Sequence, residues 1–159
     1  MLTDLPFLSE MKISNIEFYK QLSVEIDKWA DENKDAKNYW KIYLINAPKI
    51  FYFLKNLVQL ENLTKKEKAL ITAAIAYFIN PFDLLPEMIL GALGFLDDVV
   101  ASAFVINKLM GNISEKFITQ NWNGSLNFGA FIKNILTNAD HIVEEQIHKK
   151  LKKEFDSVK

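Results

Sequence analysis

The sequence predicts an all-α fold, a compact bundle of six to eight helices. Three observations carry that expectation. Glycine and proline are scarce, five and four among 159 residues, so little interrupts a helical backbone. Apolar residues recur at steps of three and four along most of the chain, the period that gives a helix one buried face. Helix-start signals, a Ser or Thr followed three residues later by Glu, stand before two of these periodic runs. Residues 1–159 read as one domain, because no repeat, low-complexity tract or linker divides them and the length suits a single core.

Ser14-Asn15-Ile16-Glu17 has the form of a capping box, with Ile13 and Phe18 as its hydrophobic staple. It predicts a helix beginning there with Ile16, Tyr19, Leu22, Ile26 and Trp29 on one stripe, broken by the polar run 31–38. A second, aromatic-rich segment holds Tyr39, Trp40, Tyr43 and Leu44. Pro48 suits the first turn of a third helix, which carries Ile50, Phe51, Phe53, Leu54, Leu57 and Val58. The density of rings from Tyr39 to Phe53 is expected to belong to the core. Thr64-Lys65-Lys66-Glu67 is a second capping box and opens a helix over 65–79. Its small residues, among them Ala69, Ala73 and Ala74, allow a neighbouring helix to come close. Asn80-Pro81 ends it, since the residue before proline is driven out of the helical region. Residues 96–110 are apolar on nearly every face, as a central buried helix would be, and Gly111 closes the run. A short amphipathic piece follows over 114–121, then a Trp122-Asn123-Gly124 turn, then a long helix from Phe128 to Phe155. Helices 65–79 and 96–110 are expected to form a central apolar hairpin, joined by an acidic, proline-punctuated connector.

Composition narrows the chemistry. Half the residues are hydrophobic, a quarter are charged and the formal charge is −1, so no global field draws the chain to nucleic acid or anionic lipid. All 19 basic residues are lysines, and the bidentate fork with which arginine grips phosphate is lacking. Without cysteine there is neither disulfide nor thiolate chemistry, which fits a reducing cytoplasm. The opening MLTDLPFLSEMK is not a secretory signal, for it carries Asp4 and Glu10 and no long apolar run.

The connector concentrates the unusual features. Asp83, Glu87, Asp97 and Asp98 stand in the most apolar third of the chain, with no basic residue between Lys68 and Lys108. Each has a helix-capping explanation. Asn80 as N-cap, Pro81 at the first helical position and Asp83 near the free amides make a helix start. Pro86 and Glu87 repeat the device, and Asp97 and Asp98 follow Gly94 in the first turn of the next helix, where carboxylates are favoured by about 0.3–1 kcal/mol each. If the four acids converge, their repulsion needs lysines, raised pKa values or a bound cation. An oxygen-only set of this kind suits Mg, Ca or Mn.

The run Ala76-Tyr77-x-x-x-Pro81-x-Asp83-Leu84-Leu85-Pro86-Glu87, followed by Gly94-x-x-Asp97-Asp98, closely resembles the signature of the YkvA-like family, domain of unknown function 1232. The resemblance covers about residues 66–108 and brings Tyr77, Asn80, Pro81, Asp83, Pro86, Glu87, Gly94, Asp97 and Asp98 into register as a structural motif. Leu85 replaces the usual isoleucine, and Glu87 replaces the usual aspartate with a longer side chain. The resemblance implies a helix, acidic turn, helix unit. It brings no established activity, and members of the family are often labelled membrane proteins for their apolar hairpin.

Elsewhere the chemistry is thin. No glycine-rich phosphate loop or G-x-S-x-G elbow appears. His141, Glu144 and His148 share one face of the last helix and offer a transition-metal alternative, without the H-E-x-x-H order. Lys149, Lys150, Lys152 and Lys153 complement the dipole at its end; Glu154 and Asp156 dilute them, so no nucleic-acid partner is expected. The apolar, uncharged run Ala69 to Phe82 has 14 residues, short of the roughly 20 that a spanning helix needs. The functional expectation is therefore a non-enzymatic helical interaction or scaffold module in the cytoplasm, with a protein partner. Two alternatives stand beside it: a divalent-cation-binding protein or cation-dependent enzyme using Asp83, Glu87, Asp97 and Asp98, and a peripheral protein on a membrane surface.

Overall fold

The computed structural model of the chain describes residues 6–35, 37, 39–79, 94–123 and 126–142, with the backbone alone over 6–14. Every regular element among them is helical: α1 (Pro6–Glu32), α2 (Lys41–Ile45), α3 (Ala47–Leu57), α4 (Lys65–Ile79), α5 (Phe95–Leu109), a 3-10 turn (Met110–Asn112), α6 (Glu115–Asn121) and α7 (Phe128–Thr137). The predicted all-α class and the range of six to eight helices are met.

The first helix departs from its expected start. α1 runs unbroken from Pro6, a residue whose fixed φ suits the first helical position. Ser14 therefore lies inside the helix, where a backbone carbonyl four residues back already serves each amide and a cap has no work to do. The predicted stripe holds at Tyr19, Leu22, Ile26 and Trp29 and fails only at Ile16. Ile16 is 54% exposed, while Leu22 and Ile26 are buried and Phe18 packs against the core. The turn that follows α1 is held by Lys41, whose Nζ donates to the backbone oxygens of Asn33 at 2.7 Å and Lys34 at 3.1 Å. Trp29 and Trp40 pack across this corner, 5.9 Å between centroids.

Two aromatic clusters fill the interior. Phe18 of α1, Phe51 of α3, Phe78 of α4 and Phe95 of α5 meet with centroid separations of 5.0–6.5 Å. Phe53 of α3 lies against Phe117 at 5.3 Å and Phe128 at 4.4 Å. Trp122 joins Phe128 and Phe131 to that second group, and Tyr43 of α2 reaches Phe131. The aromatic stretch 39–53 is thus core for the most part: Trp40, Tyr43, Phe51 and Phe53 are buried, and Tyr39 and Ile42 remain about two-fifths exposed. Ser114 and Asn127 cap the starts of α6 and α7. Ser114 Oγ accepts from the Phe117 amide at 3.1 Å and Asn127 Oδ1 from the Ala130 amide at 3.0 Å. The expected single helix from Phe128 is interrupted, since α7 stops at Asn138 before residues 139–142 resume helical form. Asn138 Nδ2 donates both to the Asn134 carbonyl and to the Tyr43 hydroxyl, so its side chain holds the break in place against α2.

α5 occupies the centre, packing against α2, α3, α4 and α7, with its most extensive contact on α4. That matches the central role read from its all-round apolarity. Gly124, the connector 80–93 and the continuation of the last helix past 142, which includes His148 and the lysines at 149–153, lie outside the described residues.

Candidate functional site

The α4–α5 pair is built at both ends from recognisable local chemistry. Thr64 and Glu67 form the expected reciprocal cap: the Thr64 amide donates to Glu67 Oε1 at 2.9 Å, and the Glu67 amide to Thr64 Oγ1 at 3.1 Å. The second Glu67 oxygen accepts from Asn112 Nδ2 at 2.8 Å. These donors, the Thr64 backbone amide first and the Asn112 amide next, hold the Glu67 carboxyl below the ordinary glutamate range. The Asn112 bond ties the start of α4 to the turn that follows α5. At the opposite end Phe78, late in α4, stacks on Phe95, the first residue of α5, at 6.4 Å and 20°. The two helices therefore run antiparallel, as the predicted hairpin requires.

The motif residues fall in different environments. Gly94 precedes α5 with helical angles, φ −58° and ψ −24°, and offers no side-chain cap. Asp97 and Asp98 occupy the first turn as expected, where the helix dipole favours carboxylates. One helical step of about 100° separates them. Asp98 turns into the buried side, 5% exposed, and Asp97 stays half-buried at the surface. Both residues make interactions of their own. The Asp98 carbonyl also receives the buried Ser102 hydroxyl at 2.7 Å. Asn80, Pro81, Asp83, Pro86 and Glu87 lie outside the described residues, and with them two of the four acids named as cation ligands. Among the described residues no group of three or more His, Asp or Glu is placed to hold a metal ion. His141 is exposed and stacks on Tyr39, 5.8 Å between ring centroids and 25° between planes.

Tyr77, a motif residue, points out to solvent with 58% of its surface exposed. It ends a stripe on α4 at steps of four, three and four: Lys66, Leu70, Ala73 and Tyr77. Lys66 and Ala73 are exposed with it, and Leu70 is half-buried. Ala73 is thus not a close-packing contact as read from the sequence; Ala74, 3% exposed, takes the buried position. α5 has a matching stripe. Of its 15 residues only Asp97, Ala101, Phe104, Val105, Asn107 and Lys108 escape burial, and Asp97, Ala101, Phe104 and Lys108 repeat the same steps. Phe104 is 58% exposed. Sequence reasoning passed over Phe104 because the residues around it are equally apolar. The signal that could have found it is the spacing, in which charged residues bracket small and aromatic ones with helical period.

Among the described residues, then, the chain presents an all-α bundle whose central antiparallel helices leave one large aromatic residue exposed on each, Tyr77 on α4 and Phe104 on α5. Residues 67–104 match the family described as "Protein of unknown function (DUF1232)", which bears out the resemblance read from the motif. The match takes in α4 from Glu67 on, Tyr77, the four acids of the motif and Phe104. The chain is also similar to an uncharacterized protein, ORF9, of Methanothermobacter thermautotrophicus, with 26% identity over 102 residues. That alignment covers 64% of this chain and 65% of the relative, just under two thirds of its length. No solved structure matches the chain. Among the described residues no helix is long and apolar enough to cross a membrane.

Proposed function

We propose that the chain is a non-enzymatic helical interaction module whose α4–α5 outer face receives a helix of a protein partner. The observation that carries this reading is the exposure of Tyr77 and Phe104, each at 58%, on the two helices of the family-matched segment. Covering the exposed part of a Phe side chain yields about 1–2 kcal/mol, and large aromatic side chains are over-represented where protein surfaces meet. The face is shaped for a helix. Alanines at 73 and 101 leave shallow places beside the two rings, and each stripe extends about 16 Å at 1.5 Å per residue. Its ends carry opposite charge, Asp97 on one side and Lys66 and Lys108 on the other. A mixed rim of that kind selects an oriented protein segment, whereas an anionic lipid surface favours lysine throughout.

Placing a photo-reactive benzoylphenylalanine at position 104, in the cells that make the protein, tests the reading. Irradiation should give protein adducts there, reduced by Tyr77→Lys, and none with the same probe at Thr119, which is exposed on α6. Equal labelling at 104 and 119, or no adduct at 104, would overturn it.

A further inference from the structure

We draw no further inference here: the strongest candidate, the surface patch around Tyr77 and Phe104 on the outer sides of α4 and α5, belongs to the face already proposed as a contact site, and nothing in the structure shows what covers it.

Discussion

Tyr77 and Phe78 are consecutive aromatic residues on one helix, and the structure assigns them opposite roles. Phe78 is 1% exposed and touches Phe51, Phe18 and Phe95 at centroid distances of 5.6, 6.5 and 6.4 Å. Removing its ring forfeits about 1.5–3 kcal/mol of apolar burial, and the cavity left among three other rings raises the cost of Phe78→Ala to about 3–5 kcal/mol. In a domain of this length each kcal/mol moves the melting temperature by about 2–4 °C, so the expected fall is about 6–20 °C. Tyr77→Ala, which removes a ring 58% exposed, should stay within about 0.5 kcal/mol. Thermal and urea unfolding followed by circular dichroism compares the two variants directly. Equal destabilisation would mean that Tyr77 is covered within its own chain, and the open face would not exist. A small effect at both positions would mean that the junction of α1, α3, α4 and α5 is not the core.

The remaining expectations concern the ends of the same hairpin. Thr64→Ala should cost about 0.5–2 kcal/mol by urea unfolding, as loss of an N-cap does. Because the Glu67 carboxyl titrates below its unfolded value, its contribution is present above the unfolded pKa and disappears as pH falls through the lowered folded pKa. Stability measured from neutral pH into acid should therefore decline across that window, and decline less in Asn112→Ala, which lacks one of the donors. Millimolar Mg²⁺, Ca²⁺ or Mn²⁺ should leave the melting temperature unchanged in an interaction module; a rise abolished by Asp97→Asn with Asp98→Asn would instead favour the cation-binding alternative.

Legibility in the sequence followed the range of the interaction. Thr64 and Glu67 announced the start of α4 because a capping box is complete within four residues, and the helix over 65–79 has the expected bounds. Ser14 and Glu17 carried the same letters and failed, because Pro6 had already started the helix upstream and the amides there were no longer orphaned. The stripe of α1 held at Tyr19, Leu22, Ile26 and Trp29 and missed only at its first member: Ile16 and Phe18 both lie near the apolar face, and only the position of Phe51, Phe78 and Phe95 selects Phe18. The break at Asn138 depends on Tyr43, 95 residues away, a contact beyond any local pattern. The centrality of α5 was readable from its apolarity, but that very uniformity hid which residue of the helix faces out.

The separation of Asp97 from Asp98 sharpens what the acidic motif can mean. Two neighbouring carboxylates were grouped with Asp83 and Glu87 by sequence proximity, yet on a helix adjacent residues diverge by about 100°, and α5 uses that divergence. Asp98 enters the interior beside Ser102, where an ionised group is tolerated only when it is engaged. Its place in the motif is thereby accounted for by the fold. Asp97 lies at the end of the open stripe, and charge there contributes to orientation more than to stability, since paired charges at a surface add about 0–1 kcal/mol. A carboxylate pair serving one cation would have both groups turned to a common point. On the proposed contact reading, a pair divided between the core and the exposed stripe ties the packing of α5 to the surface on which a partner helix would lie.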